Sequence, residues 1–326
     1  MIREKSSIQQ IAQCIKSAKK VAIFTHVRPD GDALGSSLAL SLALDFLNIQ
    51  NDIYDESPVP ANLECLPCLE RVQSKLKGED YDLYIALDCA DISRLGVFSS
   101  TFERAAKKNI RTVNIDHHIF NPLFARYNFV RNCAANCMNV AMLIEALGVP
   151  LSKPIAEHLL AGLLTDSGNF SHDDVTEECF LLSAKLVSLG ADICKLNYEL
   201  FKKQTKARAK LHSEVMNKIR YYHDDKFAAI VIPLETMERC GADNTMTEGF
   251  VDFPLNVDTV EVAASIMEVK RGQYRVSLRS KTYADVNGIA GVYGGGGHIL
   301  ASGCMINGYL ENVIDELTYT VSQYMD

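Results

Sequence analysis

The length, composition and charge of the chain limit what it can be. At 326 residues it is longer than one hydrophobic core usually fills, so two domains are expected. Hydrophobic residues make up 48% of the chain and charged residues 23%, as in ordinary globular proteins. A formal net charge of -8 argues against a broad basic surface for long duplex nucleic acid. No apolar run reaches the roughly 18 residues of a membrane span, so no membrane partner is expected.

The cysteines and the N-terminus indicate a cytoplasmic protein. Ten cysteines are scattered without a regular framework, which favours reduced thiols over disulfides. Residues 1–5 lead into a polar segment, so we expect no signal peptide. Cys65 and Cys68 form a lone C-x-x-C pair, and we interpret them as loop cysteines rather than a metal or redox site.

The first half of the chain alternates between strand and helix patterns. This alternation predicts an α/β domain with a doubly wound, mainly parallel sheet covered on both faces, spanning residues 1–197. In chain order the predicted elements are a strand at 21–24, a helix at 34–47, an extended stretch at 52–54, strands at 83–87 and 112–115, and helices at 138–147 and 154–164.

The second half has a different pattern. A polar helical segment at 202–220 lies within a predicted helical linker at 198–221, and a smaller α+β domain is predicted at 222–326. Its predicted elements are a strand at 227–232, a hairpin of 260–269 with 273–279, a helix at 285–293 that leads into a glycine-rich loop, and a final helix at 310–324.

Side chains that bind hard metal ions follow several of these apolar stretches. His26, Asp30 and Asp32 lie in the loop after residues 21–24, where Gly31 permits a tight bend between the acids. Further candidates follow later stretches: Asp88, Asp116, His117, His118 and Asp166.

The carboxyl ends of parallel strands meet at one edge of a sheet, where open α/β sheets bind ligands. Histidine combined with several carboxylates is a ligand set that suits Mn²⁺ or Mg²⁺, whereas a zinc site would be expected to be rich in thiolates. We predict manganese because histidine participates. Asp88 is the expected bridging carboxylate. A single acid such as Asp88 or Asp166 could instead be a helix cap, and residues 116–118 could be a surface turn. The whole set favours a metal site.

Five motifs can be followed along the chain: His26-Val-Arg-Pro-Asp30-Gly-Asp32, Asp88, Asp116-His117-His118 with Asn121, Leu164-Thr165-Asp166-Ser-Gly, and Gly294-Gly-Gly-Gly-His298-x-x-Ala301-Ser302-Gly303. The first four resemble the motifs of the DHH phosphoesterase superfamily, and the fifth is similar to the glycine-rich motif of the DHHA1 domain. Within the superfamily the chain resembles the oligoribonucleases, or nanoRNases, that also dephosphorylate adenosine 3′,5′-bisphosphate.

The resemblance implies two Mn²⁺ ions, with Mg²⁺ or Co²⁺ as alternatives, and in-line attack of hydroxide on phosphorus. It makes Asp88 a catalytic residue together with Asp116, which would orient its neighbours, and His118, which would face the substrate phosphate. The implied ligands are His26, Asp30 and Asp88 for the first ion, and Asp32, Asp88, His117 and Asp166 for the second.

The resemblance also assigns substrate binding to the C-terminal domain. The expected substrates are short RNA oligonucleotides and small nucleotide phosphates, and the expected assembly is a monomer or a homodimer. The implied substrate-binding residues are Arg279, Gly295, Gly296, Gly297, His298 and Ser302.

Two features depart from the family pattern. Phe170 is followed by Ser171 and His172 where an arginine is common, and Cys133 and Cys137 replace small residues before the helix at 138–147. Specificity can therefore differ from that of the relatives. A phosphodiesterase for linear or cyclic dinucleotides (cyclic di-AMP and pApA) is one alternative function, and a non-catalytic nucleotide-binding regulator is another, which the complete ligand set disfavours.

Overall fold

The computed structural model describes residues 5–78 and 80–325. Residues 1–4, the start of the segment in which no signal peptide is expected, lie outside the described part. The chain divides into two compact units, residues 1–203 and 204–326, and each contains its own six-stranded sheet. Within the described residues, no helix is both long and apolar enough to cross a membrane.

The sheet of the first unit is entirely parallel. Its order is β3-β2-β1-β4-β5-β6, the order of doubly wound sheets, so the topological switch point lies between β1 and β4. A ligand site is therefore expected beyond the carboxyl ends of these two strands. The strands are β1 (Lys20–Phe24), β2 (Gln50–Tyr54), β3 (Val72–Gln73), β4 (Leu83–Leu87), β5 (Arg111–Asp116) and β6 (Tyr127–Val130).

Alternate residues of β1 enter two different hydrophobic clusters, because successive strand side chains point to opposite faces. Val21 and Ile23 pack with the helices of one face, whereas Ala22 and Phe24 join an aromatic cluster on the other. Both faces of the sheet are thus covered, which confirms the predicted architecture. The helices are α1 (Ile8–Lys16), α2 (Gly31–Phe46), α3 (Ser99–Lys107), α4 (Asn136–Ala146), α5 (Lys153–Asp166), α6 (Glu177–Ser188) and α7 (Ile193–Asn197).

The predicted elements of the first unit are present, and the structure adds others. The strand prediction at 83–87 agrees with β4, and the helix predicted at 154–164 extends to Asp166 as α5. The sequence does not predict α1, α3, α6, α7 or the edge strands β3 and β6. Both edge strands are short. The two residues of β3 are half-buried, and half-buried and buried residues alternate in β6, so neither strand has the continuous apolar run of the central strands.

The sheet of the second unit is mixed, with order β11-β12-β10-β9-β8-β7. Strands β8 and β9 are parallel, and the other neighbouring pairs are antiparallel, including the predicted hairpin of β9 with β10. The elements are α8 (Lys206–Met216), β7 (Arg220–Tyr222), β8 (Phe227–Ile232), α9 (Leu234–Cys240), α10 (Asp252–Leu255), β9 (Val262–Lys270), β10 (Gln273–Ser280), α11 (Val286–Val292), β11 (Gly296–His298), β12 (Ala301–Asn307) and α12 (Leu310–Ser322).

The prediction of a glycine-rich loop is wrong for part of that segment. Gly296–His298 forms β11, which pairs with the start of β12. Gly294 makes the turn before it at a φ of 72°, and a Cβ on Gly295 would overlap the carbonyl oxygen of Gly303. These glycines therefore permit a turn and a close approach of two backbones. A run of glycines is compatible with a loop and with such a strand, so the sequence alone does not distinguish them.

Candidate metal centre

His26 lies in the loop after β1 and presents one ring nitrogen to two carboxylates. Its Nδ1 is 3.1 Å from the carbonyl oxygen of Val27 and 3.3 Å from Arg94 Nη2, so Nε2 is the nitrogen that faces the cluster. Nε2 lies 3.5 Å from Asp30 Oδ2 and 3.6 Å from Asp88 Oδ2. In this arrangement Nε2 could hold a metal ion together with the two carboxylates.

Asp30 is both a helix cap and a member of the cluster. Its Oδ1 accepts hydrogen bonds from the backbone N–H groups of Asp32 and Ala33, each at 3.0 Å, at the start of α2. Its other oxygen faces His26. One oxygen of Asp30 therefore caps α2, and the other is left to face the candidate site.

Asp32 is fully buried and receives backbone donors from the start of another helix. Its Oδ1 accepts the N–H of Cys137 at 2.8 Å, and its Oδ2 accepts the N–H of Asn136, both from the first turn of α4. Burial and the charge of Asp88 raise the pKa of Asp32 to about 7. A nearby cation would keep this carboxyl ionised.

Asp88 follows β4 directly and lies between His26 and His117. Its φ of 54° is uncommon for a residue other than glycine, and its side chain is 2% exposed. Its Oδ1 has no hydrogen-bond partner within the described residues, although His117 Nε2 lies 3.3 Å away. A buried carboxylate oxygen without a donor is unfavourable unless a cation compensates it. Asp88 does not cap the helical segment that follows, whose N-cap is Asp91, and its geometry fits a bridging ligand.

His117 and Asp166 complete the cluster. His117 Nδ1 is 2.9 Å from the carbonyl oxygen of Cys133, and Nε2 is 3.3 Å from Asp166 Oδ2. Asp166 is the last residue of α5 rather than a loop residue after a strand, so it cannot cap the start of that helix. The helix dipole places negative charge at this end, which makes an ionised carboxyl unfavourable there. Burial, followed by the charges of Asp32 and Asp88, raises the pKa of Asp166 to about 10.

The spacing of the facing atoms fits metal ligands better than hydrogen bonds. The histidine-to-carboxylate distances of 3.3 to 3.6 Å exceed the usual hydrogen-bond length. Ligand atoms about 2.1 Å from one ion lie about 3.0 to 3.5 Å from each other. Two groups, His26 with Asp30 and Asp88, and Asp32 with His117 and Asp166, each have their ligand atoms within 4.8 Å of one another.

The charges of the cluster also favour a cation. Burial lowers the pKa of His26, but the carboxylates of Asp30 and Asp88 outweigh it and raise the value to about 10. Burial also lowers the pKa of His117, but the carboxylate of Asp88 outweighs it and raises the value to about 10. The carboxylates thus attract positive charge strongly, and the cluster is compatible with divalent metal binding.

Asp116 has both carboxylate oxygens occupied by neutral or histidine donors. Oδ1 is 2.8 Å from His118 Nδ1, and Oδ2 accepts a hydrogen bond from Asn121 Nδ2 at 2.6 Å. Asp116 is fully buried, whereas 44% of the His118 side chain is exposed. Although these residues also lie near Asp88, the geometry makes Asp116 an orienting residue and His118 the accessible member.

Sequence patterns do not reveal some residues that hold this cluster. The amides of Asn136 and Cys137 that bind Asp32 are backbone groups, which carry no signal in the sequence. His172, noted only as a departure from the family, has its Nδ1 2.8 Å from the carbonyl oxygen of Asp166. Neither Cys65 nor Cys68 belongs to a metal-competent group within the described residues.

The predicted substrate residues lie in the second unit, on the three strands at one edge of its sheet or, in the case of Gly295, directly before β11. The side chain of Arg279 in β10 has Nε 3.9 Å from Asp252 Oδ1, and His298 in β11 is exposed. Gly297 donates its N–H to Asn287 Oδ1 at 2.8 Å, and the buried hydroxyl of Ser302 donates to the Val286 carbonyl. Roles of these residues in substrate binding stay predictions.

Comparisons with known proteins agree with the fold and the motifs. The model of the DHH family N-terminal domain matches residues 20–163, and that of the DHHA1 domain matches residues 225–326. A bifunctional oligoribonuclease and PAP phosphatase NrnA of Thermus thermophilus is 32% identical over 322 residues, which cover 94% of each chain. A protein of the same description from Bacillus subtilis is 25% identical over 302 residues, or 91% of this chain and 92% of its own.

A solved structure has the same fold over nearly the whole chain. An exopolyphosphatase-related protein from Bacteroides fragilis is similar with a TM-score of 0.86 at 26% identity, covering 97% of this chain and 96% of that one. The doubly wound sheet with histidines and carboxylates at its switch point defines an α/β phosphoesterase. The chain belongs to the DHH family of phosphoesterases and carries a DHHA1 domain.

Proposed function

We propose that the protein hydrolyses short oligoribonucleotides to mononucleotides and dephosphorylates adenosine 3′,5′-bisphosphate with two divalent metal ions. The observation that carries this proposal is Asp88, a buried carboxylate with an oxygen that lacks a donor, between His26 and His117. The names of the Thermus thermophilus and Bacillus subtilis relatives support the choice of substrates.

The proposed ligands divide into two sets that share Asp88. We propose Mn²⁺ as the ion, because the donors are carboxylate oxygens and imidazole nitrogens without thiolates. Bound divalent ions would activate water and neutralise charge on the phosphate oxygens. The sets are His26, Asp30 and Asp88 for one ion, and Asp32, Asp88, His117 and Asp166 for the other.

The chain itself supplies orientation at the site. The carbonyl oxygens of Val27 and Cys133 hold the rings of His26 and His117, so that Nε2 of each faces the carboxylates. Asp116 engages Nδ1 of His118, which leaves Nε2 of this half-exposed ring for a phosphate oxygen of the substrate. His118 is therefore the proposed contact to the substrate phosphate.

The proposed partners are short RNA and small nucleotide phosphates. The net charge of -8 supports short substrates, because it disfavours extended contacts with a long duplex. Arg279 and His298 are the proposed contacts to a terminal phosphate or base, with the backbone of Gly295 and Gly296 nearby in the chain. A cytoplasmic location and a monomeric or homodimeric state stay predictions.

A substrate panel with Mn²⁺ tests this function. It contains adenosine 3′,5′-bisphosphate, RNA of two to five nucleotides, a long RNA and a cyclic dinucleotide, each with wild-type protein and with Asp88→Asn. We expect hydrolysis of the bisphosphate and the short RNA, and a loss of more than about 100-fold in Asp88→Asn, since even residues that only support metal ligands cost about 10- to 100-fold. Asp315→Asn, an exposed aspartate of α12, is the matched control.

Three results would contradict the proposal. A preference for the long RNA would exclude an oligoribonuclease, and a preference for the cyclic dinucleotide would favour the dinucleotide phosphodiesterase instead. Full activity of Asp88→Asn would remove Asp88 from the reaction and the metal centre with it.

A further inference from the structure

Two exposed apolar residues project directly after the half-exposed histidine of the metal centre. Ile119 is 73% exposed and Phe120 is 92% exposed, the highest value among the exposed large hydrophobic side chains of the described residues. Neither belongs to a hydrophobic cluster of the described part, whereas Phe124, four residues later, is buried in the aromatic cluster beside the sheet. We call residues 119 and 120 the apolar tip.

The apolar tip is held at both ends by one buried carboxylate. Asp116 Oδ1 engages His118 before the tip, at 2.8 Å, and Asp116 Oδ2 engages Asn121 after it, at 2.6 Å. Asn121 Nδ2 also lies 3.2 Å from the Cys89 carbonyl oxygen, and its Oδ1 accepts the N–H of Leu123 at 2.8 Å. The residues on either side of the tip, His118 and Asn121, are therefore both tied to Asp116, so the tip is anchored at its two ends.

The position of the tip restricts what it can contact. Two residues of extended chain span at most about 7 Å, so the Cα of Phe120 lies within that distance of the Cα of His118. A single exposed apolar side chain is common and needs no explanation by itself. An aromatic ring held within about one nucleotide of the phosphate-facing residue has a specific chemical partner, since every nucleobase has a face on which such a ring can stack.

We propose that Phe120 stacks on a nucleobase of the substrate, at the nucleoside next to the phosphate that is hydrolysed. This inference rests on the proposed function and adds a base contact on the first unit, beside the metal centre. Stacking does not depend on base identity, so such a contact would recognise short RNA without requiring a particular sequence. It would also distinguish nucleotide esters from phosphate esters that lack a base.

The test compares substrates with and without a base. Wild-type protein, Phe120→Ala and Phe120→Trp are assayed on pApA and on two analogues in which one or the other nucleoside is an abasic 1,2-dideoxyribose. Phe46→Ala is the matched control, because Phe46 is another exposed aromatic residue of the first unit, 60% exposed at the end of α2. Bound Mn²⁺ and thermal stability are measured for each variant.

We expect Phe120→Ala to lower kcat/KM for pApA by about 5- to 150-fold, the range that loss of one base stack produces. Phe120→Trp and Phe46→Ala retain the wild-type value. On the analogue that lacks the stacked base, wild-type protein falls to the level of Phe120→Ala, and the substitution has no further effect.

Three outcomes overturn the stacking role. One is an unchanged kcat/KM of Phe120→Ala on pApA, and another is an equal loss on pApA and both abasic analogues. The third is a change in the oligomeric state of Phe120→Ala by light scattering, which would assign the tip to a contact between copies of the chain. Failure of the wild-type protein to hydrolyse any nucleotide contradicts the proposed function as well, so the two failures are distinguishable.

Discussion

Replacing Asp166 with asparagine should stabilise the metal-free protein and should reduce the stabilisation that bound metal provides. The carboxyl lies at the C-terminal end of α5 and shares its surroundings with Asp32 and Asp88. Burial and these neighbouring charges raise the pKa of Asp166 to about 10, so without a cation the folded state disfavours its ionised form. Asparagine has the same shape without the charge.

The magnitude follows from the pH dependence. A group whose pKa is raised by folding destabilises the folded state increasingly as the pH rises above its unfolded value of 3.8. Each pH unit corresponds to about 1.4 kcal/mol, so the gain from Asp166→Asn at pH 7 is at most about 4 kcal/mol. The same reasoning gives at most about 2 kcal/mol at pH 5. A unit of this size gains about 2 to 4 °C in Tm per kcal/mol.

Thermal unfolding with EDTA and with excess Mn²⁺, at pH 5 and pH 7, measures both effects. Wild-type protein should gain about 3 kcal/mol when free Mn²⁺ exceeds its Kd by 100-fold, and Asp166→Asn should gain much less. Asp315→Asn should match wild type in every condition. A lower Tm of Asp166→Asn with EDTA at pH 7 would refute the reasoning, because it would mean that the charged carboxyl stabilises the metal-free fold.

Two further predictions concern other parts of the chain. Although burial opposes it, backbone N–H groups lower the pKa of Glu261 to about 2. Glu261→Gln should therefore lose about 2 kcal/mol of stability at pH 7, and its difference from wild type should vanish as the pH falls from 4.5 toward 2. Urea unfolding at pH 7 and pH 3 measures this difference, and an equal loss at both pH values would contradict the prediction. Gly162→Ala would place a Cβ against Cys137 Sγ and 2.9 Å from Asp32 Oδ1. The substitution should lower the free energy of unfolding by about 1 to 3 kcal/mol and should weaken Mn²⁺ binding, as measured by calorimetry. Gly291→Ala is the control and should have neither effect, because open space surrounds Gly291.

The central strands and the residues beside them were predictable because their signals are local. The apolar run that forms β4 ends one residue before Asp88, and the run that forms β1 ends two residues before His26. A parallel sheet brings such strand ends together, so the pattern and the topology rule together predict the cluster. The glycine-rich segment was harder, since a strand and a loop can use the same glycines.

The contacts that hold the cluster were not predictable in the same way. Asp32 is bound by backbone amides of α4, more than a hundred residues away in the chain, and any residue type offers such an amide. Asp166 enters the site from the end of a helix rather than from a strand, because α5 packs against α2. Nothing in the sequence distinguishes the apolar tip from other loop residues, because the contacts of Asp116 with both of its ends form only in the folded protein.

The sequence by itself determined which side chains are candidates for the chemistry, because ligand types are side-chain identities and their strand-end positions follow from hydrophobic periodicity. Only the tertiary structure decided how these side chains are held: which oxygen of Asp30 caps a helix and which faces His26, why Asp88 retains an oxygen without a donor, and where Phe120 is exposed. Those features depend on backbone groups and distant elements that meet only when the chain folds.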